Sequence, residues 1–132
     1  MLKLIKKCLL NNLVLIALTI TVSIIFLSLV NTKQLPETSV KVSDKILHAF
    51  AYLVLFWSWM AVFRKTTSIK TAILLFLVLV SFGILLEILQ GVLTDYRTAD
   101  WRDGIANTTG LLLGFISFKP IHRILKNKIN DD

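Results

Sequence analysis

Three stretches of this chain hold the side chains that could do chemistry. The first, "SDKILHAFAY", places Asp44, His48 and Tyr52 at intervals of four residues. The second, "EILQ", sets Glu87 and Gln90 inside a run that is otherwise apolar. The third, "DYRTADWRDGIANTTG", packs Asp95, Arg97, Asp100, Arg102 and Asp103 ahead of Asn107. His48 or Glu87 suits a general base, because burial raises a carboxyl pKa and brings it near a working pH. Arg97 and Arg102 suit a phosphate or carboxylate, since a guanidinium offers paired donors to both. Asp44, His48, Glu87 and Asp103 carry the atoms of a metal site, and Asp-x-x-x-His puts two ligands on one helix face. That interval is not a recognised zinc spacing, however, and so oxygen-rich a set is equally at home as a hydrogen-bond network. Neither a metal nor a cofactor is expected.

The elements that must position these residues are hydrophobic. The chain has 132 residues, 55% of them apolar and only 17% charged, too few charges to solvate the surface of a small globular protein. A single domain over residues 1–132 is the natural reading. No charged residue lies between Lys7 and Lys33, between Lys45 and Arg64, or between Asp103 and Lys119, and Glu87 alone interrupts the run from Lys70 to Asp95. A membrane-spanning helix needs about 20 apolar residues. The sequence therefore predicts an all-α integral membrane bundle of four transmembrane helices, over Leu9–Val30, Asp44–Phe63, Thr71–Leu93 and Trp101–Phe118.

The net charge of +7 is distributed by side rather than gathered for nucleic acid. Ten basic residues fall at the N-terminus, in the 64–70 loop and at the C-terminus, against five on the opposite side. This positive-inside pattern puts both termini in the cytoplasm. No basic face interleaved with aromatics supports a nucleic-acid partner. The first apolar run is longer than a typical secretory core and no small-x-small cleavage site follows it, so it reads as a retained anchor. Cys8 is the only cysteine, which excludes an intramolecular disulfide, and it reads as an apolar filler. The longest loop, about 31–43, holds Pro36 and belongs outside.

Helix geometry turns the polar residues into a question of depth. At about 100° per residue, His48 and Tyr52 share a stripe with Asp44, about 6 and 12 Å below it. Glu87 falls about 9 Å under the outer surface, with Gln90 one turn above it, and Asn107 about 6 Å beneath Asp103. Three segments thus carry a buried polar group to one layer. An ionisable group facing hydrocarbon costs at least about 2.5–3.5 kcal/mol, so the three stripes should face one another. The expected result is a small polar pocket open to the exterior. Its floor is Tyr52 and the Gly110 turn, and Asp44, Arg97, Asp100, Arg102 and Asp103 stand at its rim.

Each residue also has a plain structural use. Ser43 can cap the second helix, with Asp44 in its first turn, and Asp100 can cap the last, with Asp103 in a capping-box-like place. Tyr96 and Trp101, and Trp57 and Trp59 at the other end, fit interfacial belts. Gly110-x-x-x-Gly114 fits close helix packing.

The order of these residues resembles that of the VanZ-like membrane proteins, a family named for a protein associated with bacterial resistance to teicoplanin. The resemblance runs from Asp44-Lys45-x-x-His48-x-x-x-Tyr52, through Glu87-x-x-Gln90, to Arg97, Asp103, Asn107, Gly110 and Gly114, covering about residues 40–118. One departure is the lack of a proline shortly before Arg97. The resemblance implies a multi-pass protein of the bacterial cytoplasmic membrane with a part in tolerance to antibiotics that bind cell-wall precursors. It supplies no mechanism.

The residues themselves leave several functions open. The first is an envelope factor that binds a lipid-linked cell-wall precursor or a lipidated glycopeptide through Asp44, His48, Tyr52, Glu87, Gln90, Arg97, Asp103 and Asn107. The second is an intramembrane hydrolase or transferase on a polyprenyl-phosphate intermediate, with His48 or Glu87 as base; no nucleophile elbow or phosphate-cradling loop accompanies it. A third is a purely structural subunit. Interhelical hydrogen bonds in membranes average only about 0.6 kcal/mol, a small return for burying a glutamate. Four helices without an inverted repeat argue against a transporter. The lipid bilayer is the one partner common to these readings, and the oligomeric state stays open.

Overall fold

The computed structural model describes residues 1, 4, 7, 12–30, 44–64, 68–95 and 99–130, the side chains of 119–130 excepted. Ser43, Arg97, Tyr96, Cys8 and the 31–43 loop, each assigned a role above, lie outside the described residues. Four helices follow in order: α1 (Leu13–Leu29), α2 (Asp44–Val62), α3 (Ile69–Leu93) and α4 (Trp101–Asn130). The fold is all-helical, as the hydropathy pattern requires. α2 and α3 are each long and apolar enough to cross a membrane.

Local chemistry sets the helix ends. α3 begins at Ile69 instead of Thr71, because the Ser68 hydroxyl accepts the Thr71 N–H at 3.1 Å and caps the turn. α4 is capped by Asp100, whose Oδ1 accepts the Arg102 N–H at 2.9 Å while its carbonyl accepts the Asp103 N–H. That helix continues to Asn130, well past the expected end at Phe118. The expectation followed the charge-free run, and Lys119 ends that run without ending the helix. The sequence beyond it holds no glycine and several good helix formers.

Packing depends on where small residues let helices approach. At Gly110 of α4, an added Cβ would stand 2.7 Å from the carbonyl carbon of Ala49 on α2, so the two backbones touch here. One turn on, a Cβ added at Gly114 would stand 3.0 Å from the Phe56 side chain, and one added at Gly83 of α3 would stand 3.1 Å from Tyr52. The same three contacts fix α2 between α3 and α4. Below them, Phe56, Leu55 and Leu111 are fully buried, and Phe56 meets Phe115 and Phe118 edge-on. α1 is tied on by side chains: Trp59 donates to the Thr21 hydroxyl at 3.1 Å, and Gln90 donates to the Ser28 carbonyl at 2.9 Å.

The outer faces are as apolar as the interior. Val22 and Phe26 on α1, Phe50 on α2, Leu74 and Leu85 on α3 and Ile116 on α4 are all exposed. Apolar surface on every helix is what hydrocarbon surroundings would cover and what water would not tolerate.

Candidate functional site

The polar residues gather at the end of the bundle where α2 and α4 begin and α3 finishes. Three of them form a chain across three helices. The His48 Nδ1 of α2 lies 3.0 Å from Asn107 Oδ1 of α4, and Asn107 Nδ2 donates to Glu87 Oε1 of α3 at 3.5 Å. Asn107 and Glu87 are buried, and His48 is mostly so. The Gly110–Ala49 contact makes this reach available, since Ala49 follows His48 and Gly110 stands one turn from Asn107.

A charged layer sits directly above. Lys45, one helical turn before His48, sends its ammonium to Asp100 Oδ2 at 2.8 Å and to Asp103 Oδ1. The Asp103 side chain is 7% exposed, a buried carboxylate compensated by a half-exposed lysine. The His48 Nε2 lies 3.7 Å from Asp44 Oδ2 and 3.9 Å from Asp103 Oδ2, beyond hydrogen-bond reach of either. The Lys45 hydrogen bond, together with the Arg102 N–H, holds the exposed Asp100 carboxyl below its ordinary value.

Lys45 is the residue that chemical type and spacing passed over. It reads in the sequence as one more interfacial cation, although it stands three residues before His48 on the same helix face. Only the arrival of Asp100 and Asp103 from α4 turns it into part of the cluster. Three further predicted members lie around this chain. Arg102 is exposed, lies over the Trp101 ring, 5.7 Å from its centroid, and adds its charge to the surroundings of Asp100. Gln90 is buried against α1 through Ser28 and not in the His48–Asn107–Glu87 chain. Tyr52 is buried against Gly83 and the Phe82 ring, one turn below Glu87. Arg97 lies outside the described residues.

Backbone contact at Gly110 brings α2 and α4 together beside the His48, Asn107 and Glu87 side chains. An opening lies to one side. A groove of about 680 Å³ runs between α3 and α4, walled by Ile84, Ile88, Ile105 and Leu112. Glu87 and Thr108 line its middle, and Asp100 and Trp101 stand at the end where α4 begins. Among the described residues, neither His48 nor Asn107 lines it.

The fold and this cluster define a class: a small helical protein, apolar inside and out, that concentrates its buried polar groups at one end of the bundle. The chain matches the family model described as VanZ/LLP1 over residues 5–125, and it belongs to that family, which is linked to teicoplanin resistance. Comparison with curated proteins and with solved structures finds no match.

Proposed function

We propose that all four helices cross the bacterial cytoplasmic membrane with both termini inside, and that the polar end of the bundle faces outward. The protein would there hold the head of a lipid-linked cell-wall group, or of a lipidated glycopeptide, and so contribute to teicoplanin-type tolerance. The observation that carries this reading is the groove between α3 and α4. Its apolar walls follow α4 from Trp101 to Leu112, about 17 Å of helix, enough to take part of a lipid chain. Its middle and one end offer Glu87, Thr108 and Asp100 to a head group that brings hydrogen-bond donors. Arg97 keeps the anion-binding role that its guanidinium suits.

The test compares tolerance to teicoplanin with tolerance to a glycopeptide lacking a lipid chain, in a sensitive host making the wild type, Glu87→Gln, Arg97→Ala or Leu112→Trp. The proposal expects wild type to protect best against the lipidated drug, and each variant to lose that protection at equal membrane levels. Full protection from Leu112→Trp, which fills the groove, would refute it.

A second reading has one observation in its favour. The His48 ring is anchored by Asn107 on one nitrogen and turns the other toward two carboxylates, the posture of an oriented general base. An intramembrane hydrolase or transferase on a polyprenyl-phosphate intermediate would use it. Purified protein that leaves a labelled polyprenyl-phosphate substrate unchanged would exclude this reading.

A further inference from the structure

We propose that a second groove, toward the opposite end of the bundle between α1 and α3, holds one acyl chain of an anionic phospholipid whose phosphate sits at Lys70. The site needs only that these helices lie in a bilayer, and owes nothing to the groove beside Glu87 or to a drug.

This second groove has a volume of about 570 Å³. α3 supplies one wall with Thr71, Leu74, Leu75, Val78, Leu79 and Phe82, which recur at intervals of three and four residues along one face. Trp59 and Phe63 of α2 and Thr21 of α1 supply the rest. α1 and α3 meet nearer the polar end, where Gln90 donates to the Ser28 carbonyl, and the groove begins beyond that contact.

Its dimensions choose the occupant. From Lys70 to Phe82 α3 rises about 18 Å. That is close to the depth of one leaflet, since the whole hydrocarbon core is about 30 Å thick. Spread over that length, the volume gives a mean cross-section of about 30 Å², roughly 6 Å across. A helix from a second copy of the chain needs about 10–12 Å, which the groove does not offer.

The lining narrows the chemistry further. The two polar groups away from the mouth are engaged with the protein: Trp59 Nε1 donates to the Thr21 hydroxyl at 3.1 Å, and that hydroxyl donates to the Ala17 carbonyl at 2.7 Å. What remains is aliphatic and aromatic surface. It suits methylene groups and leaves the N–H and C=O groups of an extended peptide unmet. Leu74 and Val78 are 65% and 54% exposed, so the groove is open sideways to lipid.

The mouth is cationic. Lys70 lines it, is exposed, and pairs with no carboxylate among the described residues. The described acidic side chains, Asp44, Glu87, Asp95, Asp100 and Asp103, all lie toward the other end of the bundle. α3 begins beside Lys70, and the positive end of its dipole adds to the same field. Basic residues at a membrane surface attract anionic lipid, and an apolar slot directly beneath Lys70 makes that attraction local. A zwitterionic headgroup brings its own cation to the lysine and gains less.

The experiment uses the full chain carrying Trp57→Phe and Trp101→Phe, which leaves Trp59 as the only tryptophan. The protein is reconstituted in phosphatidylcholine vesicles with rising fractions of brominated phosphatidylglycerol, or of phosphatidylcholine bearing the same brominated chains. Bromine quenches an indole only at close range, so Trp59 reports a chain in the groove. Half-quenching should need about fivefold less of the brominated phosphatidylglycerol, the worth of one lysine beside an anionic headgroup. Lys70→Gln should erase that difference, and Val78→Phe, which narrows the groove, should weaken quenching by both lipids. Circular dichroism checks that each variant is folded. Should the tryptophan-substituted protein fail that check, native mass spectrometry of the chain with its tryptophans intact decides in its place. One phosphatidylglycerol per chain should then survive release from micelles mixed with phosphatidylcholine, and Lys70→Gln should lose it. Equal quenching by the two lipids, or equal retention of them, overturns the proposal. So does a headgroup preference that survives Lys70→Gln, which would mark a general attraction to the basic end of the bundle.

Discussion

Replacing Gly110 by alanine tests the geometry on which the whole cluster rests. An added Cβ would stand 2.7 Å from the Ala49 carbonyl carbon and 2.9 Å from its Cα, and closer still to the oxygen. Ordinary contact begins at 3.4 Å, and the obstacle is backbone rather than the tip of a mobile side chain. α2 and α4 must therefore part by on the order of 1 Å. Overpacking of this kind costs about 1–3 kcal/mol, and a backbone obstacle belongs at the upper end. Alanine's better helix propensity returns up to about 1 kcal/mol. The net loss is about 2 kcal/mol, on the order of 5–10 °C in melting temperature on the scale of small domains. The same separation pulls His48 away from Asn107, whose 3.0 Å contact lies one turn along. Thermal unfolding in detergent, followed by circular dichroism, measures the loss. Gly104→Ala is the internal control, because nothing lies within 4 Å of a Cβ there; it should melt no lower than wild type and up to about 5 °C higher. A Gly110→Ala protein as stable as wild type would refute backbone contact between α2 and α4.

Lys45→Met removes the cation from a buried carboxylate. Breaking a buried pair costs about 3–5 kcal/mol, but Lys45 is 38% exposed and solvent screening reduces this to about 1–2 kcal/mol. Adding Asp103→Asn should recover part of the loss in the same melting assay, and no recovery would mean the pair does not interact as described. Asp100 supplies a pH dependence: its folded-state pKa is lowered, so its contribution is present well above the unfolded value of about 3.9 and is lost as pH falls through the lower folded value. The melting-temperature gap between wild type and Asp100→Asn should thus be constant from pH 7 to 5 and shrink below about pH 4; a gap that widens there would reverse the sign and refute the assignment. Gln90→Ala should cost about 1 kcal/mol by removing the hydrogen bond to the Ser28 carbonyl, and should speed proteolysis within α1 while leaving α2–α4 intact. Equal cleavage rates would show that α1 is held by other contacts.

Much of this protein was legible along the chain. Long charge-free runs forced helices with apolar faces, and a period of 3.6 residues put Asp44, His48 and Tyr52 on one stripe and Asn107 below Asp103. Glu87, too costly to leave in an apolar layer, had to be met by polar groups from neighbouring helices. Depth along an axis and position around it are one-helix properties, which sequence specifies. Which stripes meet, and how closely, depends on two helices at once. Nothing local distinguishes Gln90, which faces Ser28 on α1, from Glu87 one turn away, which faces Asn107 on α4. Lys45 becomes a partner of Asp103 only because α4 starts beside α2, where Gly110 admits the Ala49 backbone. The groove between α3 and α4 is likewise set by how two helices meet. Sequence determined the depth of each polar group; the choice of neighbour was made by packing, where a missing methyl on one helix decides how near another can come.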